Sequence, residues 1–205
     1  MKKIFLFLFV GLIAAGCTIT ERIVFNSKNG GSISYEIDAT EFISIMAMTD
    51  STGQGFNLGD SLSELVRATE SIGKIKGIHH AEFQKSAEKV TIAFQFDDIE
   101  ALNKAHRELG LKTENQATKN YEKVTVKNKK EWILRTWPIG SAADDSLYST
   151  MGMMLNYKLE ATFPKEVTGT SSKTVQTAGN RITWASSAED PGGPYAFDGI
   201  TVKMK

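Results

Sequence analysis

The chain has 205 residues, 41% of them apolar, with 24 basic residues balanced by 24 acidic ones and a single cysteine. That balance leaves no basic field to draw nucleic acid or anionic head groups by bulk charge. One cysteine excludes an internal disulfide, so stability has to come from a packed core, and the length suffices for one domain or two small ones.

The N-terminus reads "MKKIFLFLFVGLIAAGCT". Lys2 and Lys3 form a basic start, and Ile4 to Ala15 an apolar run of about a dozen residues, long enough for a secretory signal and too short to span a bilayer. Ala14, Ala15 and Gly16 then precede Cys17. This pattern resembles the bacterial lipobox, with Ala14 where that pattern usually has Leu. The resemblance implies cleavage before Cys17, a diacylglyceryl thioether on its sulfur and acylation (palmitate or a similar chain) of the new amino terminus. Two or three acyl chains anchor stably at ~0.8 kcal/mol per buried methylene. The alternative is an ordinary secretory signal with Cys17 incidental. No second apolar run approaches 18 residues, so the lipid is the expected membrane attachment.

Residues 18–20 read as a short tether. From Glu21 to Asp38 the alternation of Ile23 and Phe25, then of Ile33, Tyr35 and Ile37, around "SKNGG" predicts a hairpin. Asp38 with Glu41 fits a capping box opening a helix with Phe42, Ile45, Met46 and Thr49 inward. After "TDSTGQGFNLGD", Asp60 or Ser61 caps a second helix carrying Leu62, Leu65, Val66, Thr69 and Ile72, with Gly73 as the stop. Strands follow at Gly77–Gln84 and Lys89–Phe96. "FDDIEALNKAHRELG" is a helix capped by Asp97, with Ile99, Leu102, Ala105 and Leu109 inward. "TENQATKN" is an exposed loop. Strands are expected at Tyr121–Val126 and Trp132–Trp137, then, after a short helix in "DDSLYSTMGMML", at Asn156–Phe163, Lys173–Thr177, Asn180–Ala185 and Gly199–Met204.

The expected class is therefore α+β: a ferredoxin-like βαββαβ N-terminal half followed by a β-rich C-terminal half. The domain organisation reads as a signal peptide at 1–16, a lipid-anchored α+β region at 17–120 and a β-rich region at 121–205, the last two open to forming one continuous domain. No internal repeat or low-complexity tract stands out.

"CTITERIVFNSKNGGSISYEID" and "LNYKLEATFPKEVTGTSSKTVQTAGNRITW" together are similar to the LppM-like bacterial lipoproteins. The resemblance covers about 50 residues directly. It implies a compact α+β domain close to the membrane and points toward binding of an envelope lipid or other envelope component. It brings no catalytic residues.

Adjacent His79 and His80 point to opposite faces of a strand and cannot chelate one metal together, and His106 has no ligand at helical spacing. No metal or cofactor is expected. "GQGFNLG" (Gly53–Gly59) has the spacing GxGxxxG after a helix, which reads as a loop exposing Phe56. Asp97–Asp98 and Asp144–Asp145 stand at expected helix starts, where the dipole accounts for them. Leu147, Tyr148, Met151, Met154 and Leu155 form one apolar face of the short helix, either packed on the core or offered to a lipid or peptide. Trp132 and Trp137 face opposite sides of a regular strand. One is core and the other a candidate contact, with Arg135 on the face of Trp137; Trp184 lies in another strand.

The functional expectation is a non-catalytic, lipid-anchored cell-envelope protein that binds a lipid, a glycan or a partner protein. The alternatives are a structural subunit of an envelope assembly without a small ligand and, third, an enzyme. Thr18 stands where some Gram-negative bacteria use Asp for inner-membrane retention, which favours the outer membrane, at its periplasmic or surface face. "CTITER" lacks the acidic cluster of some surface-export signals.

Overall fold

In a computed structural model of the chain, the residues described are 17–38, 40, 58–86, 89–109, 122–128, 130–135, 155–186 and 199–205. In chain order they form β1 (Cys17–Phe25), β2 (Gly31–Asp38), α1 (Leu58–Ile72), β3 (Ile78–Lys85), β4 (Lys89–Phe96), α2 (Ile99–Leu109), β5 (Val124–Asn128), β6 (Glu131–Leu134), β7 (Leu155–Thr162), β8 (Val167–Thr170), β9 (Gln176–Ala178), β10 (Arg181–Ser186) and β11 (Ile200–Met204). The class is α+β. One sheet has seven strands in the order β3-β4-β2-β1-β7-β10-β9, and a second has four in the order β5-β6-β11-β8.

The hairpin β1–β2 closes as its sequence demands. Asn26 Oδ1 accepts the backbone N–H groups of Lys28 (2.8 Å) and Gly30 (3.1 Å), and Asn29 takes a left-handed φ of 66°. A Cβ at Gly31 would collide with the carbonyl oxygen of Val24, so only glycine lets the strands meet there. β4 and β3 extend the sheet beyond β2, all antiparallel. On its other side β1 runs parallel to β7, which brings the C-terminal half of the chain into the same sheet.

The ferredoxin-like expectation holds for three strands and fails at the fourth. β2, β3 and β4, with α1 between β2 and β3, sit in the order that pattern requires. The slot beside β2 that the last strand should fill is occupied by β1. The expected fourth strand, β5, starts the second sheet instead. A five-residue turn delivers β1 to β2 locally, whereas β5 arrives only after α2 and fourteen further residues, so the slot beside β2 goes to β1.

One face of the large sheet is apolar. Ile19, Ile23 and Phe25 of β1, Ile33 and Tyr35 of β2, Ile92, Phe94 and Phe96 of β4, and Tyr157, Leu159 and Ala161 of β7 are all buried. α2 covers part of this face with Ala101, Leu102, Ala105 and Leu109, and α1 adds Ile72. The second sheet contributes Trp132, Leu134, Ile200, Val202 and Met204 to the same core. Phe25 sits where these parts meet: its ring centroid lies 4.8 Å from Trp132, 5.5 Å from Phe163 and 6.0 Å from Phe96.

Local details refine the sequence reading. The cap of α2 is Asp98, whose Oδ1 accepts the Ala101 N–H at 2.8 Å; Asp97 instead holds the ring of His79, Nε2 to Oδ2 at 3.0 Å. α1 begins at Leu58, ahead of the expected caps, and β8 had no counterpart in the sequence reading. The expected helices after Asp38 and at 144–154 lie outside the described residues.

Because Phe25 joins two sheets, Phe25→Ala is expected to cost about 3–5 kcal/mol. Urea unfolding of the variant checks this, and a change under 1 kcal/mol contradicts the packing described.

Candidate functional site

β1 is the middle strand of seven, and alternation turns Ile19, Ile23 and Phe25 to the core and Arg22 and Val24 outward. By the same parity Glu21 points inward, and its side chain is fully buried. Lys123, equally buried, donates from Nζ to Glu21 Oε2 at 2.7 Å and to the carbonyl oxygen of Arg135. The Tyr157 hydroxyl donates to the same Oε2. Glu21 Oε1 and Trp132 Nε1 have no hydrogen-bond partner among the described residues. Burial pulls the Lys123 ammonium below its usual value, and the charge and hydrogen bond of Glu21 oppose that fall.

Two neighbours complete this polar core. Asn103 on α2 bonds both backbone groups of Val124, its Nδ2 donating to the carbonyl and its Oδ1 accepting the N–H, each at 2.9 Å. That occupies the edge of β5 at its first residue. His106, one turn further on, is buried with its ring centroid 6.0 Å from that of Tyr35. Burial, then the charge of Lys123, then that of Arg107, hold its imidazole neutral, well below the usual histidine range.

Glu21, Lys123, Tyr157 and His106 are each at most 2% exposed. No substrate reaches them from solvent in this arrangement. Chemically the cluster is a clamp that fixes the residues before β5, and the end of β6, to the central strand.

The outward face of the large sheet is charged. Glu160, at its centre, meets Lys158 (2.7 Å), Arg181 (2.5 Å) and Arg22 (3.6 Å), and these cations, Lys158 first, hold its carboxyl below the usual range. Toward β4, Lys89 reaches Asp38 at 2.8 Å and Glu36 at 3.7 Å. The hydrogen bonds of Lys89 and Thr40 bring the Asp38 carboxyl down to about 2.

Cys17 is the first residue of β1, paired with Leu155. The residues expected as a tether are strand: Thr18 pairs with Asn156 on one side and Asp38 on the other. Trp132 is the core member of its pair. Arg135 donates through Nη1 to Thr125 Oγ1 (2.7 Å) and the Glu122 carbonyl (3.0 Å), on the surface of the small sheet. Phe56, Trp137, Leu147, Tyr148, Met151 and Met154, with the Asp144–Asp145 pair, lie outside the described residues. His80 sits in a β-bulge with φ of 52°, so the regular alternation assumed for it and His79 is broken. No group of metal-binding side chains occurs among the described residues.

Glu21 and Lys123 were missed by sequence reasoning. The signal for Glu21 is its parity with Ile19, Ile23 and Phe25. Lys123 precedes its strand in a bend, where no alternation rule assigns a face.

Two open depressions flank β8. One, of about 470 Å³, is lined mostly by threonine and serine; the other, of about 600 Å³, includes Asn128, Lys130, Glu131 and Lys203. No family model matches the chain, and no curated protein matches it. Among solved structures, the NMR structure of the folded domain of Mycobacterium tuberculosis LppM is similar at a TM-score of 0.41 and 14% identity, over 94% of this chain and 91% of that one.

Either Glu21→Gln or Lys123→Met is expected to destabilise by about 3–5 kcal/mol, and the double change Glu21→Leu with Lys123→Met to recover most of that loss, as buried ion pairs do when both partners become apolar. A double-mutant cycle in urea measures it, and additive losses argue against the clamp.

His106 also sets an acid limit. Its folded value lies below its unfolded value of about 6.5, so below that pH the unfolded chain binds a proton that the folded chain refuses. Stability then falls by up to about 1.4 kcal/mol per pH unit until the folded value is reached. His106→Gln is expected to flatten this slope between pH 6.5 and 5 in urea midpoints; an unchanged slope removes His106 as its source.

Proposed function

We propose that this chain is a non-catalytic cell-envelope protein, anchored to a membrane by lipid on Cys17, whose folded part binds a partner beside the membrane. The observation that carries the reading is the position of the chain's one thiol. It follows a signal-like segment and opens the central strand of the large sheet. An acyl group there would hold the whole domain against the bilayer with no linker between lipid and sheet.

Two features support a binding role over catalysis. The buried titratable cluster is closed to solvent, and the accessible depressions present hydroxyls and lysines in place of a converging acid and base. Their polarity favours a protein or other polar ligand over an acyl chain. Among described residues Val24, 49% exposed, is the one large apolar side chain at the surface, which weighs against a broad greasy assembly face. The outer membrane remains the favoured location, from the residue after the cysteine.

The test is intact-mass analysis of the chain expressed in its own host. A mature protein beginning at Cys17 and carrying a diacylglyceryl group plus an acyl chain is expected, with Cys17→Ser shifting it from the detergent to the aqueous phase. Retention of Met1, or an unmodified thiol at position 17, overturns the anchor.

A further inference from the structure

We propose that the loop joining β8 to β9 is a binding site for a phosphoryl group. The proposal names a ligand for the binding role argued above and rests on that role, but it needs no lipid on Cys17.

The loop is held in shape by its own contacts. At one end the Val167 N–H donates to the Gly179 carbonyl at 2.9 Å, which ties the start of β8 to the β9–β10 turn. At the other end Val175 is buried in the core. Between them Thr201 of β11 grips Ser171 twice. The Ser171 N–H donates to the Thr201 carbonyl at 2.9 Å, and Ser171 Oγ accepts the Thr201 N–H at 3.0 Å. The chain from 167 to 177 so encloses the depression of about 470 Å³, within the usual range for a small ligand. A ligand that enters such a bowl has little left to order.

The bowl presents an excess of donors. Its lining holds the Lys173 ammonium and the hydroxyls of Thr168, Thr170, Ser171, Ser172 and Thr177, with no carboxylate. Lys173 has no ion-pair partner among the described residues. Each hydroxyl carries one proton, so the hydrogen bonds within the loop show which protons remain. Thr170 gives its proton to the Ser172 carbonyl at 3.1 Å. Ser171 Oγ acts only as an acceptor toward Thr201, so its proton is still to be given. Ser172 Oγ and Thr174 Oγ1, 2.8 Å apart, share one proton and leave that pair another. Thr168 and Thr177 have no side-chain hydrogen bond among the described residues.

Donors with no anion among them call for a ligand that only accepts. A phosphate monoester brings three strong acceptor oxygens and a charge of about −2. Thr168 on β8 and Thr177 on β9 stand on opposite walls, which suits a tetrahedral group better than a planar carboxylate. A neutral polyol brings donors of its own, and no aromatic ring lines the bowl to stack a sugar. The second depression carries its own carboxylate, Glu131, and lacks this excess.

Strand register separates the bowl from Cys17. Thr177 stands opposite Ile182, Ile182 opposite Ala161, and Ala161 opposite Ile23, six residues along β1 from Cys17. At ~3.3 Å per residue that is about 20 Å from the end that would carry lipid. The ligand expected is therefore a soluble phosphate ester and not a head group of the anchoring membrane.

The test is titration calorimetry on the full chain in detergent, with glycerol phosphate at constant ionic strength. Saturable binding is expected, with inorganic phosphate competing. Lys173→Gln is expected to weaken it about tenfold, and Thr168→Val and Thr177→Val about fivefold each, as lost charged and neutral hydrogen bonds do. These substitutions keep the size of the side chain, and unchanged urea midpoints verify that the variants fold. Equal binding of glycerol or of acetate overturns the proposal. So does an affinity unchanged in Lys173→Gln, or no binding at tens of millimolar ester. Doping the micelles with phosphatidate distinguishes the sources. Displacement of the ester assigns the phosphoryl group to a membrane head group, and no displacement assigns it to a soluble compound; the phosphoryl site stands in both. A chain that carries lipid on Cys17 but fails these titrations loses the site and keeps the anchor, so the two failures are read separately.

Discussion

A carboxylate on the core face of the central strand demands a buried cation, and the architecture is built around meeting that demand. Glu21 finds Lys123, 102 positions away, and Tyr157, 136 positions away. One side chain thus collects groups from the strand that opens the fold, from the approach to the second sheet and from the parallel strand β7. A charge left alone in such a core costs several kcal/mol, so the three arrive together or the core does not close. Asn103 acts in the same direction on a neutral scale, tying α2 to the edge of β5. Polar contacts of this kind add direction to a core that apolar packing alone would leave free to slide.

β1 concentrates these roles. It pairs on both sides, carries Glu21 and Phe25 inward and begins at Cys17. Whatever is attached to Cys17 is attached to the middle of a seven-stranded sheet. An anchor on a flexible arm would let the domain sample many orientations, whereas one on a doubly paired strand limits them. The surrounding outward face is a lattice of ion pairs, with Glu160 beneath three cations. Exposed pairs of this sort contribute modestly to stability, but they keep the outer face polar and discourage unplanned sheet stacking.

The path of the chain after β4 shows how local closure governs topology. The short Asn26–Gly30 turn places β1 beside β2. α2 then leads away from a sheet whose open position is taken, and β5 nucleates a second layer over the core face. β8 ends that layer, and its Val167 N–H reaches the Gly179 carbonyl at the β9–β10 turn of the large sheet.

Much of this was legible beforehand. Period-two alternation marked β4 at Lys89–Phe96 and the hairpin of β1 and β2, and period-3.6 spacing marked the inner stripe of α2, because both patterns are local and record which side of one element meets water. The unusual position of Cys17 was legible for the same reason. The partners were not. Alternation assigns Glu21 to the inner side, yet whether a carboxylate can stay there depends on a lysine a hundred residues on, which lies in a bend where periodicity is silent. The displacement of β5 and the two-sided pairing of Thr18 are likewise properties of strand order. The sequence by itself determined the elements, their buried faces and the place of the one thiol. Tertiary structure alone decided which elements became neighbours, since pairing is selected by long-range closure and by the satisfaction of buried charge, neither of which leaves a mark within a window of a dozen residues.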